Sequence, residues 1–227
     1  LLHGLAASVF GAALFFLAGQ RFWFIAGAFS GFLIMSPLLA TGLYAISRSL
    51  ERGEKPSLRT ALATWHPRNR RLVGFGLLLS LAGTGWVLTS AALITGFAAE
   101  PVEGPADFLR VVVLGDNLLF GAWLLLGGVL AAPMFASSVV AIPLLLDRDV
   151  PVAVAVYASW RVVLESPTAM ATWAGLIMGM TAVGMATALT GLIVILPWLA
   201  HASWHAYRDL IELPETSPGT PPGKVQG

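Results

Sequence analysis

The chain has 227 residues, of which 57% are hydrophobic and only 11% charged, and its net charge is +1. A water-soluble domain carries about a quarter charged residues, so this composition excludes one. The near-neutral balance gives no basis for nucleic-acid binding, and the absence of cysteine excludes disulfides, thiolate catalysis and cysteine metal sites.

The few charges are clustered. No Asp, Glu, Lys or Arg occurs between Arg71 and Glu100, between Asp116 and Asp147, or between Glu165 and Arg208. A helix needs about 20 apolar residues to cross the hydrocarbon. In lipid every backbone amide must be paired within its own segment, so such stretches cross as helices. The alternation of a barrel strand is absent. The expected fold class is all-α: a polytopic transmembrane helical bundle of about six spans in three hairpins, with short cytoplasmic interfacial helices.

The first expected span covers residues 1–19. It has no basic flank and is long for a signal segment, so it reads as a span, although a chain beginning at Leu1 leaves a preceding targeting segment open. Spans at 22–47, 72–98 and 117–146 follow. Residues 168–211 would make a single helix of about 66 Å, twice the membrane, so the chain should reverse between Gly184 and Gly191. That gives spans at 168–187 and 190–211. Residues 1–212 then form one transmembrane domain, and the Pro-, Gly- and Ser-rich residues 213–227 form a disordered tail.

With six spans, Arg48, Arg52, Lys55, Arg59, Arg68, Arg70, Arg71, Arg148, Arg161, Arg208 and Lys224 share one side, and Arg21 and Arg110 share the other. The basic side should be cytoplasmic, with both termini on it. This is the pattern of a multi-pass protein of an inner (cytoplasmic) membrane.

Segments of the chain resemble one another. Ser30–Ala40 is similar to Thr190–Ala200, and Arg48 and Leu50 then align with Arg208 and Leu210. Val140–Leu145 is a weaker third copy. Glu51-Arg52, Pro56 and Trp65 align with Asp147-Arg148, Pro151 and Trp160. A parallel internal repeat is expected, with hairpins in one orientation. Short helices should follow the first two, one capped by Ser57 and one bearing Val152, Val156, Trp160 and Val163 on a face. Both suit the membrane interface or the underside of the bundle.

His201 and His205 stand four apart on one helix, the spacing of a metal-ligand pair. Two ligands do not make a site, and Glu, Asp and Cys are missing from the neighbouring spans, so no acid is expected near them. Their neighbours Trp198, Trp204 and Tyr207 suit an interfacial aromatic belt. Pro37, Pro143 and Pro197 should each kink a helix, shaping a compact bundle or a cavity. Gly27 and Gly31, and Gly175 and Gly179, form GxxxG pairs for helix packing, within the chain or against a partner. Gly4, Ser8 and Ala12 form another small stripe. Arg68, Arg70 and Arg71, with Trp65 and Trp160, are candidate contacts to lipid headgroups. No catalytic or cofactor-binding residue emerges, and haem or metal enters only through the histidine pair.

Ser36–Tyr44, Leu50–Glu54, Leu145–Val150, Gly191–Pro197 and His201–Arg208 together resemble a bacterial family of predicted multi-pass membrane proteins without established function. Some members of it carry a cytochrome c oxidase subunit label. A haem–copper catalytic subunit needs about six histidines, and four are present. The resemblance therefore implies a non-catalytic accessory subunit or assembly factor of a larger inner-membrane complex, respiratory or photosynthetic, and not an enzyme. Its partners would be membrane lipids and other integral membrane subunits. A small transporter for an apolar or lipid-like solute is the alternative, and a haem or metal protein a further one.

Overall fold

The computed structural model describes residues 1–18, 21–65, 70–115 and 117–211. Arg68, His66 and the expected tail at 213–227 lie outside these. Among the described residues the secondary structure is entirely helical. The helices are α1 (Leu2–Ala18), α2 (Phe22–Leu39), α3 (Thr41–Glu51), α4 (Leu58–Ala63) and α5 (Arg70–Phe97). Next come α6 (Pro105–Asp107), which runs on as a π-helical turn over Phe108–Val113, and α7 (Asn117–Ser138). The chain continues with α8 (Ala141–Asp147), α9 (Val152–Glu165), α10 (Pro167–Ala186) and α11 (Leu192–Leu210).

Among the described residues four stretches are long and apolar enough to cross a membrane: Phe22–Glu51, Arg70–Phe97, Leu118–Asp147 and Pro167–Ala186. Leu2–Leu17 is a shorter apolar helix. The longest stretches exceed the membrane. Thirty residues of helix extend about 45 Å, against about 30 Å of hydrocarbon. The excess builds a second layer. No residue of α2 is buried, whereas Thr41, Gly42, Leu43, Tyr44, Ala45, Ser47 and Ser49 of α3 all are. The main core joins α3 to the base of α5, to α8, and to Ala200, Trp204 and Tyr207 of α11. A smaller core at the opposite end holds Ile94, Val102, Val111, Val112 and Leu119 among aromatic rings.

The stretches expected at 22–47 and 117–146 are each broken in two. Pro37 has no N–H, so the Leu33 carbonyl loses its helical partner, and the Ser36 hydroxyl takes it at 2.9 Å. The helix breaks at Ala40, where Thr41 Oγ1 donates to the Leu38 carbonyl at 2.7 Å. The second break falls at Val139–Val140, and the freed Val140 N–H is taken by Ser159 Oγ at 3.1 Å. Pro143 therefore stands in the first turn of a new helix, where a missing N–H does little harm. α7 also contains Pro133, which the sequence reading passed over.

The reversal between the last two long helices occupies residues 187–191. Ala188 and Leu189 adopt φ of 51° and 68°, a left-handed conformation unfavourable for residues with a Cβ. Tertiary contacts hold it. Leu189 is buried, and its carbonyl accepts the Ser8 hydroxyl at 2.7 Å. The small stripe on α1 is what lets α11 approach. A Cβ added to Gly4 would stand 2.6 Å from both Ile193 Cα and the Leu192 carbonyl oxygen. Pro197 denies Ile193 its helical partner, so α1 lies against the carbonyl that the proline frees.

Candidate functional site

The arginine-rich ends of α3, α8 and α11 converge in one polar cluster. α3 ends in a Schellman motif: Glu54 N–H donates to the Ser49 carbonyl at 2.9 Å and Gly53 N–H to the Leu50 carbonyl at 3.0 Å, with Gly53 at φ 68°. This stop leaves Glu51 on the last turn, facing α11. Asp147 occupies the corresponding last turn of α8.

α11 supplies the partners. The indole N–H of Trp204, a fully buried residue, donates to Glu51 Oε1 at 2.8 Å. The Tyr207 hydroxyl donates to Asp147 Oδ2 at 2.9 Å. Arg208 reaches both acids, with Nε 3.4 Å from Glu51 Oε2 and a terminal nitrogen 3.5 Å from Asp147 Oδ2. The Asp147 side chain is only 9% exposed, so its charge is held by these two donors rather than by water. Arg48 donates to the Leu146 carbonyl at 2.6 Å, near the C-terminus of α8, where helix carbonyls lack partners. The rings of Tyr44 and Trp204 (6.3 Å) and of Trp204 and Tyr207 (5.4 Å) pack above the charges.

The histidine pair belongs to this cluster. His201 Nδ1 lies 2.6 Å from the Ser47 hydroxyl, and His205 Nδ1 lies 3.7 Å from Glu51 Oε1. The sequence expectation that no acid lies near these residues is corrected: Glu51 does, brought there by the α3–α11 contact. Among the described residues no group of three His, Cys, Asp or Glu is placed to hold a metal. His3 stands apart on α1, edge-to-face with Trp65 at 5.6 Å.

The other expected positions are distributed. Pro143 and Pro197 are buried and Pro37 is half-buried. Gly27 faces Val87 of α5, with a built Cβ 3.5 Å from its methyl group. Gly31, Gly175 and Gly179 have no neighbour within 4 Å of such an atom among the described residues. Arg71 forms an ion pair with Asp149 and donates to the Val150 carbonyl at 3.0 Å, while Arg70 is exposed. Trp65 donates to Thr41 Oγ1 at 3.1 Å and Trp160 to Ser137 Oγ at 2.9 Å, each keeping part of its ring exposed. α4 begins at Ser57, whose hydroxyl accepts the Thr60 N–H at 3.1 Å. α9 turns Ala155 and Ser159 to the bundle and leaves Val154, Tyr157 and Leu164 exposed.

Sequence reasoning did not select Glu51, Asp147, Ser47, Trp204 or Tyr207 as a group. The available signal was the similarity of Glu51-Arg52 to Asp147-Arg148, which sets two acids at matching helix ends.

Long helices with exposed apolar flanks, and ionisable groups gathered at their ends, define an integral membrane protein of the multi-span helical class. The family described as "Predicted integral membrane protein (DUF2189)" matches residues 24–147, more than half of the chain, and the chain belongs to it. The match runs from the first turn of α2 to Asp147, so it includes both acids of the cluster and none of α11. No curated protein and no solved structure gives a significant match.

Proposed function

We propose that this protein is a non-catalytic accessory subunit or assembly factor of a larger complex in a bacterial inner membrane. It would cross six times, as three hairpins of parallel orientation, with both termini cytoplasmic. α1 and α11 would be the two crossings added to the four long apolar stretches.

The observation that carries the reading is on α10. Ala171, Gly175 and Gly179 recur every fourth residue on an exposed face, and no neighbouring element among the described residues lies within 4 Å of a Cβ at either glycine. Small residues so spaced are how membrane helices admit a neighbouring backbone. The polar cluster supports it from the other side, because its one nearly buried acid, Asp147, and the half-exposed Glu51 are both engaged with Arg208. Respiratory and photosynthetic complexes are the first partners to test.

The test is purification of the native protein in mild detergent, with an optical spectrum and mass spectrometry of what accompanies it. A defined set of membrane subunits in fixed ratio is the expected result, reduced when Gly175 and Gly179 are replaced by leucine. Elution alone, at the mass of one chain, would overturn the reading.

A further inference from the structure

At the end opposite the arginine-rich cluster, an open cleft of about 730 Å³ lies between the first turn of α2 and the segment leaving α5. Its floor is apolar, with Phe22 and Trp23 beside the buried Ile94 and Val102. Its rim is charged, carrying Arg21, Glu100 and Glu103. Glu100 is already neutralised by Arg110 at 2.7 Å. Glu103 uses only its backbone N–H, donated to Asp107 at 3.2 Å. Neither the Arg21 nor the Glu103 side chain has an ion pair or hydrogen bond among the described residues.

Among the described residues the cleft thus presents one unpaired cation and one unpaired anion above an apolar floor. The first N–H groups of α2 add to the cationic side, since the first helical bond there is Ile25 N–H to the Arg21 carbonyl at 3.0 Å. A ligand with net negative charge would meet Glu103 as well as Arg21, so the complement is a zwitterion. Location selects its kind. The cleft sits at the ends of two membrane-spanning stretches, and Phe24 in its wall and Phe97 beside it are exposed, continuing its floor onto the lipid-facing flanks.

We propose that this cleft binds the headgroup of a zwitterionic phospholipid. The phosphate lies toward Arg21 and the ammonium toward Glu103, with the acyl chains along α2 and α5. The site depends on the protein being in a membrane and not on its having a protein partner.

Native mass spectrometry of the full chain in mild detergent tests it, with phosphatidylethanolamine and phosphatidylglycerol supplied at equal concentration. The expected result is retention of one phosphatidylethanolamine with about tenfold preference, the discrimination that a difference of ~1.4 kcal/mol provides. R21Q and E103Q should each abolish the preference, R21K should keep it, and R59Q at the opposite end should leave it unchanged. Equal retention of the two lipids by the unaltered protein, or a preference surviving in both R21Q and E103Q, would overturn the proposal. Glycerophosphoethanolamine, which has the headgroup without the chains, should fail to displace the lipid. Displacement at equal concentration would show a soluble ligand instead and overturn the lipid assignment.

Discussion

The Tyr207 hydroxyl donates to Asp147 at 2.9 Å, joining α11 to the end of α8, 60 positions earlier. Tyr207 is 2% exposed and Asp147 9%. A hydrogen bond to a charged group in such a place contributes about 1.5–3 kcal/mol. Tyr207→Phe should therefore lower stability by about 2 kcal/mol, read as a lower midpoint in thermal unfolding in detergent. Arg208 remains to hold Asp147, so the fold should persist. A midpoint equal to that of the unaltered protein would show that the bond contributes nothing.

Gly4 faces backbone, which cannot move aside as a side-chain tip can. Gly4→Ala should cost about 1–3 kcal/mol through overpacking against Ile193. Gly175→Ala, at a position with open space around it, should leave the isolated protein unchanged or slightly more stable. Comparing the two unfolding midpoints in the same detergent checks both expectations. Equal effects would mean that α1 does not press on α11.

The turn at 187–191 separates backbone strain from side-chain burial. Ala188 is exposed at φ 51°, so Ala188→Gly should relieve the strain and stabilise by roughly 1 kcal/mol. Leu189 is strained too but buried, so Leu189→Gly should destabilise by about 2 kcal/mol or more. Opposite signs in a pair of thermal melts are the expected outcome.

The connection after α5 should loosen in acid. Arg110 lies beside Glu100 and holds its carboxyl below the usual carboxylate range, first by hydrogen bonding and then by charge. A carboxyl whose folded pKa is depressed contributes fully above its unfolded value of about 4.3. That contribution is lost as pH falls through the lower folded value. Hydrogen-exchange protection across 100–113, corrected for intrinsic rates, should fall over that window in the unaltered protein. In R110Q it should already be low at neutral pH and change little. Protection independent of pH in both would show that the pair does not order the segment.

What was legible in the sequence was legible for local reasons. The charge-free stretches between Arg71 and Glu100 and between Asp116 and Asp147 mark apolar helices without reference to any other part of the chain. The reversal before Leu192 follows from length alone. Ser57 is a cap because its hydroxyl needs only Thr60. The break at Val139–Val140 was not legible, because the group that takes the freed N–H is Ser159, on another helix. The same holds for the polar cluster. Glu51 and Trp204 are 153 positions apart, and no periodicity within either segment announces their meeting. The GxxxG pairs show the converse failure: Gly27 meets α5, while Gly175 and Gly179, with the same spacing, meet nothing among the described residues. Spacing states what a helix face permits, and only the packing states what it touches.

The cluster of Glu51, Asp147 and Arg208 has a consequence for biogenesis. The two acids are synthesised first, and the guanidinium that joins them arrives on the last helix. During insertion the end of α8 is best left in water, because burying the Asp147 carboxylate unpaired would cost several kcal/mol. A ribosome that stops before α11 therefore leaves a chain whose inner layer cannot close, with the Tyr44 face and two carboxylates still solvated. Closure of this layer therefore waits for α11, whichever of the two acids is already in place.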